Sequence, residues 1–430
     1  MDQNNNVINI SNRIRRMPDG TYADFGTSNQ SFIDVAHALQ KRGIKNWWFP
    51  LSIKFPKTGV HLLDPHKIDQ KNPESVKDIA RIHMECKANV WYFMRECVRV
   101  PARGAPVPFK FKLNRAACAM IWCYVKGLDF IVCQPRQTHK TTTCLALNQY
   151  SLIYRYKGVE IPFMHLKEDR VRGTAIELRD YIYTLPEYMN PFYGKGKPPG
   201  AESIKYEAHQ TSIKLLTGAE NEAKAMDKTR GMTLFTGLFD EWEYIPHIKH
   251  VFAGAAAAIV QARRLAREIG LKTCLMYAST PGNLSTEEGQ QSHTIIKETP
   301  EWSEHYYDVP DNELEEVLTF ETPNGQIRRI TTVYIEYNHI QILGLEEGRK
   351  WLQEQYEEAI RLDKMDEYLR GCLLLRRRST DSALFRQEDI DYIITHKLEP
   401  DLEIFVINKY PMHVYSHEIR NIDITSPWPY

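Results

Sequence analysis

Residues 129–142 read Asp129-Phe130-Ile131-Val132-Cys133-Gln134-Pro135-Arg136-Gln137-Thr138-His139-Lys140-Thr141-Thr142. The apolar run Asp129–Cys133 predicts a strand, and the residues from Thr141 to Tyr154 predict a helix. A strand, a polar loop ending in Lys-Thr and then a helix form the setting a phosphate-binding loop requires. Backbone N–H groups at such a loop, with one lysine, hold phosphates. A second stretch fits the first: Leu238-Phe239-Asp240-Glu241 closes a later apolar run. Together the two stretches predict hydrolysis of a nucleoside triphosphate.

The chemistry assigns roles. Lys140 is placed to reach the β- and γ-phosphates, and the Thr141 hydroxyl suits Mg²⁺. Asp240 suits the same ion, directly or through water, and Glu241 suits the attacking water. The loop departs from the common Gly-x-x-x-x-Gly-Lys-[Ser/Thr] pattern at both glycines, which are Gln134 and His139 here. A Cβ at residue 139 crowds the phosphates or opposes a positive φ. Taken singly, the loop also fits a basic turn with a solvated lysine, and Asp240-Glu241 a solvent-facing cap. Their order along the chain favours the joint reading.

Strand and helix then alternate. Strands are expected at Ile161–Leu166, Met232–Phe239 and Thr273–Ala278, and helices at Arg172–Leu185 and Val251–Ile269. A hairpin is expected over Ser203–Glu207 and Ser212–Leu216. This predicts an α/β fold, a mostly parallel sheet flanked by helices, with a P-loop NTPase core of the RecA/ASCE type. Gln134–Thr141, Asp240–Glu241 and Ser279–Asn283 each follow a strand, so all three lie at the sheet edge where ligands bind. The expected organisation is an N-terminal extension (1–70), the ATPase core (71–300), a hairpin and helices completing that domain (301–390) and a C-terminal segment (391–430). Ser75 to Val100 and Leu345 to Leu369 read as long helices. Val317–Phe320 and Thr331–Tyr337 read as hairpin arms around Asn324-Gly325.

The 430 residues suffice for one large or two medium domains. With 55 basic and 55 acidic residues, net charge selects no class of partner. No apolar run is long enough to cross a bilayer, and the N-terminus lacks signal-peptide order. The eight cysteines never fall as Cys-x-x-Cys, which favours reduced core thiols over zinc or disulfides.

On these motifs the chain resembles the large terminase subunit, the DNA-packaging motor of tailed bacteriophages. That family's Arg-Gln-x-Gly-Lys-Thr loop matches Arg136-Gln137-Thr138-His139-Lys140-Thr141 except at His139. The family's strand ending Asp-Glu appears as Leu234 to Glu241, its preceding Arg-Gly as Arg230-Gly231, and its coupling motif as Ser279-Thr280-Pro281. Phe109 to Val125 resembles the adenine-side region, with Ala117 where a Gln is usual. Leu384-Phe385 resembles the close of the ATPase domain.

The resemblance implies ATP and Mg²⁺ as ligands. Gln137, Thr138, His139, Lys140, Thr141 and Thr142 would bind nucleotide, with Thr141 and Asp240 on the metal. Glu241 and Arg136 would be catalytic, Arg136 by swinging toward the γ-phosphate. Ser279, Thr280 and Pro281 would couple hydrolysis to movement. It implies double-stranded DNA, the procapsid portal, the small terminase subunit and further copies in a ring as partners, in the host cell cytoplasm and at no membrane. Arg170, Arg172 or Arg230 would complete a neighbour's site. The family's nuclease needs several carboxylates; Asp423 alone does not build it, so a separate nuclease domain or chain is expected. Arg376-Arg377-Arg378, Arg328-Arg329, Lys195 and Lys197 are candidate DNA-phosphate contacts. The alternatives are a helicase-type translocase, which needs a second strand–helix domain, and a non-catalytic DNA- or capsid-binding scaffold with a degenerate loop.

Overall fold

A short run rich in aromatic and β-branched residues is stable as a strand when both its faces are covered. In the computed structural model Asp129–Cys133 is such a strand, buried along its whole length. The structure describes residues 13–101, 107–192, 203–228, 232–321, 327–329, 332–376, 402–405 and 411–414. Arg230-Gly231, Asn324-Gly325, Lys195, Lys197, Arg377, Arg378, Leu384-Phe385 and Asp423 lie outside them. So do the side chains of Arg328 and Arg329.

The large sheet contains β1 (Asp129–Cys133), β2 (Glu160–His165), β3 (Ser203–Tyr206), β4 (Thr211–Thr217), β5 (Thr236–Asp240), β6 (Cys274–Ser279) and β7 (Thr332–Glu336). Their order across the sheet is β7-β1-β6-β5-β2-β4-β3. Only the β3–β4 pair is antiparallel; every other pair is parallel. This is the α/β P-loop NTPase fold, with β6 inserted between the strand that feeds the loop and the strand that ends at Asp240. Parallel pairing brings the carboxyl ends of β1, β5 and β6 to one edge.

Around the sheet lie α1 (Gln30–Lys41), α2 (Val76–Ala88), α3 (Arg115–Lys126), α4 (Lys140–Tyr150), α5 (Glu168–Tyr183), α6 (Ile248–Glu268), α7 (Glu287–Lys297), α8 (Leu345–Arg361) and α9 (Met365–Gly371). Side chains alternate between the two faces of a strand. Phe130, Val132, Leu238, Met276 and Ala278 accordingly join one core cluster with α3 and α4 residues. Ile131, Cys133, Phe239, Leu275 and Tyr277 join the other, with Ile248, Val251 and Ala255 of α6. Phe32, Val35 and Leu39 of α1 belong to the first cluster. All eight cysteines are buried and free. Among the described residues, no helix is long and apolar enough to cross a membrane. Leu402–Phe405 and Pro411–Val414 form an antiparallel hairpin in a unit of their own.

Several expected elements are redrawn. The helix from Ser75 stops at Ala88, because Asn89 takes an extended backbone and its side chain caps Tyr92 N–H. The helix from Leu345 breaks at Arg361, and Asp363 turns with φ 52° before α9. The hairpin arm expected over Thr331–Tyr337 is instead β7, parallel to β1. The arm that pairs with Thr319–Glu321 is Ile327–Arg329. The strand expected from Met232 begins at Thr236.

The short helix Glu222–Asp227 rests on α6 where Gly254 offers no side chain. A Cβ at Gly254 would stand 2.2 Å from the Met226 carbonyl oxygen. Gly254→Ala is therefore expected to lower stability by about 1–3 kcal/mol. The urea midpoint of unfolding measures it.

Candidate nucleotide site

The turn after β1 has the backbone of an anion cradle. Gln137 and His139 take left-handed φ values of 65° and 66°. The N–H groups of Gln137, Thr138 and His139 have no backbone partner among the described residues. Successive unpaired N–H groups leading into a helix attract phosphate oxygens. Gln134 fills the first glycine position, and its carbonyl side chain accepts the Thr138 hydroxyl at 3.1 Å. Thr138 also donates to the Pro135 carbonyl at 2.7 Å. These bonds close the turn that the missing glycines leave to side chains. His139 holds a conformation that a Cβ disfavours, at a cost of about 1–3 kcal/mol. Burial, and then nearby Lys112, lower its pKa, so its ring is neutral at pH 7.

Lys140 and Thr141 open α4, Asp240 ends β5, and Glu241 follows it directly. The Thr141 hydroxyl donates to Asp240 Oδ1 at 3.0 Å. Lys140 Nζ stands 3.7 Å from Glu241 Oε1. Glu241 takes φ 52° between the strand and the short helical segment Trp242–Tyr244. Its Oε2 accepts from the Ser279 hydroxyl at 3.2 Å and from the Thr280 N–H at 3.4 Å. The Pro281 carbonyl accepts the Tyr244 hydroxyl at 2.6 Å. Thr142 meets the phenol of Tyr181. The structure thus brings together the residues of the loop, the Asp-Glu pair and the Ser279-Thr280-Pro281 turn. A cavity of about 680 Å³ opens above them, lined by Arg136, Thr141, Arg170, Asp240, Glu241 and Arg370 among others.

Arg136 borders this cavity but is turned to another partner. Its guanidinium holds Glu367 of α9 at 3.0 Å. Its N–H donates to the Gly371 carbonyl at 2.9 Å, and its carbonyl accepts from His339 Nε2 at 3.3 Å. Burial lowers the His339 pKa to about 4, so that ring is neutral and donates from Nε2. Of the other arginines, Arg170 lines this same cavity, and Arg172 pairs with Glu168 at 2.6 Å.

Arg376, a candidate DNA-phosphate contact or solvated surface residue by sequence, is instead mostly buried, with its guanidinium 2.8 Å from the fully buried carboxylate of Glu243. Arg376 also donates to the Tyr334 hydroxyl at 3.0 Å. Glu243 accepts in turn from the Gly282 N–H at 2.8 Å, tying the Asp-Glu turn to the segment after Pro281. No sequence signal marked Glu243, Glu367 or His339, because each acts through a residue far away in the chain. A basic run such as 376–378 reads as solvated until its carboxylate partner is known.

No protein-family model and no curated protein matches the chain. Solved structures similar to it include a phage large terminase ATPase domain and a phage large terminase. The large terminase ATPase domain of Thermus phage P74-26 is 16% identical with a TM-score of 0.37, covering 61% of this chain and 94% of its own. A large terminase from a thermophilic bacteriophage, solved with ADP, is 14% identical with a TM-score of 0.38; the match covers 61% of this chain and 53% of the terminase. The same phage's enzyme solved with ATP-γ-S gives 15% and 0.36. Residue roles here rest on the geometry above, not on this likeness.

Asp240 is buried, and desolvation, then the neighbouring Glu241, push its pKa from 3.8 to about 7. Between those values the folded chain keeps a proton that the unfolded chain has lost. Stability is thus fully present below pH 3.8 and falls as pH rises to about 7. Without nucleotide or metal, Asp240→Asn is expected to remove this slope, a difference of roughly 4 kcal/mol at neutral pH. Urea unfolding across pH 4–8 checks it. Glu243→Ala removes the nearer of two carboxylates beside Arg376, leaving Glu336 at 3.7 Å, and is expected to cost about 1–3 kcal/mol in the same assay.

Proposed function

We propose that the chain is the ATP-hydrolysing motor of a viral DNA-packaging machine. The observation that carries the ATPase reading is the closure of Thr141 on Asp240 at 3.0 Å beside Lys140 and Glu241 at 3.7 Å. A hydroxyl and a carboxylate at that spacing are hard oxygen donors of the kind Mg²⁺ takes. Asp240, buried with its pKa raised, is a carboxylate that gains from a cation beside it. The residues therefore fit the ion, and Thr141 and Asp240 would hold it. When bound, Mg²⁺ supplies neutralisation of the β- and γ-phosphate charge.

The chain's own groups do the rest. The N–H groups from Gln137 onward and the Lys140 ammonium bind and orient the phosphates. Glu241 orients the attacking water and accepts its proton at a carboxylate oxygen. Ser279 and Thr280, bonded to that same carboxylate, report its state to the turn at Pro281 and so couple chemistry to movement. Arg136 is held off by Glu367; released, it turns to the γ-phosphate and stabilises transition-state charge. Arg170, Arg172 or Arg230 serves a neighbouring copy in the ring. Double-stranded DNA, the portal and the small terminase subunit are the partners of this reading.

Phosphate release from Mg-ATP, alone and with DNA and procapsids, tests it. Glu241→Gln is expected to keep binding a fluorescent ATP analogue while turnover falls by about 10²–10⁴-fold. Lys140→Ala is expected to lose binding as well. Equal phosphate release from wild type and Glu241→Ala would defeat the enzyme reading and leave a scaffold.

A further inference from the structure

Away from the nucleotide cavity, one group of side chains has the composition of a metal centre. Glu222 opens the short helix Glu222–Asp227, His247 caps α6 and His250 lies in its first turn. One ligand atom from each of the three lies within 4.8 Å of the others. We propose that Glu222, His247 and His250 bind one divalent transition metal, with Zn²⁺ the best chemical fit.

The donor set argues for this class of ion. Two imidazoles and one carboxylate suit Zn²⁺, Co²⁺ or Ni²⁺, while Mg²⁺ prefers oxygen alone. The spacing argues for it too. His250 Nε2 stands 3.5 Å from Glu222 Oε2. Two ligands about 2.1 Å from a tetrahedral zinc stand about 3.4 Å apart. The left-handed turn at His247 brings its ring to 6.2 Å from that of His250, centroid to centroid. An ion pair with Glu222 would need only one of them.

The supports of the site are fixed by packing. The two ligand-bearing helices pack closely where Gly254 of α6 meets the Met226 backbone. A bound ion would tie the segment after β4 to the helix that follows the Asp240-Glu241 turn. Three protein ligands leave an open position for water, and Glu222 is exposed, which gives the ion a way in.

The test uses the full chain, stripped with chelator and free of nucleotide. Co²⁺ is titrated while its visible absorption is followed, and thermal unfolding is recorded with Zn²⁺. One equivalent is expected to bind in the micromolar range, and the unfolding midpoint to rise by mass action. His247→Asn, which tolerates a left-handed backbone, and His250→Gln are each expected to weaken Co²⁺ binding by more than about a hundredfold. Asp240→Asn is expected to leave it unchanged, which separates this centre from the Mg²⁺ site. Absence of saturable binding below about 1 mM, or binding that survives in the double histidine variant, overturns the proposal. Zinc-edge X-ray absorption of the wild-type protein gives an answer independent of variant folding. Nitrogen and oxygen scattering with two imidazoles supports the site; sulfur scattering from the cysteines overturns it.

Discussion

Everything at the candidate nucleotide site depends on a register. Lys140 and Asp240 are supplied by strands that do not touch, because β6 runs between them. Ser279 pairs with Cys133 on one side of β6, and Ala278 pairs with Asp240 on the other. That alignment ends the three strands level, so residues a step beyond each end meet in space. A one-residue slip of β5 would turn Asp240 to the opposite face of the sheet. The bond from Thr141 to Asp240 would then be lost.

The loop reaches its shape without the glycines that normally permit it. Gln137 and His139 accept left-handed backbone angles, and the strain is carried by bonds around them. Thr138 is clamped by Gln134 and Pro135, and Arg136 is held at its N–H, its carbonyl and its guanidinium. A strained turn persists where its surroundings over-determine it.

The sequence made the centre of the sheet legible because apolar runs ending in polar turns repeat there. Asp129–Cys133 is found with the expected bounds, and the Lys-Thr, Asp-Glu and Ser-Thr-Pro groups meet at one edge as expected. Local pattern failed where a single residue overrides periodicity. Asn89 trades helix continuation for capping and for a bond to the Ser52 carbonyl at 2.8 Å. Asp363 bends the chain through a positive φ that no pattern announces. Pairing partners were equally hidden. Residues 332–336 look the same in a hairpin as beside β1, since strand periodicity says nothing of which neighbour is chosen. The burial of Arg376 is hidden for the same reason, its carboxylate partner Glu243 lying 133 positions earlier.

The grip on Arg136 joins the loop to residues more than two hundred positions later in the chain. Gly371, at the end of α9, belongs to a helical pair with a small core of its own, built on Ala359, Tyr368, Leu369 and Cys372. A shift of that pair therefore strains or breaks bonds to the turn that precedes Lys140.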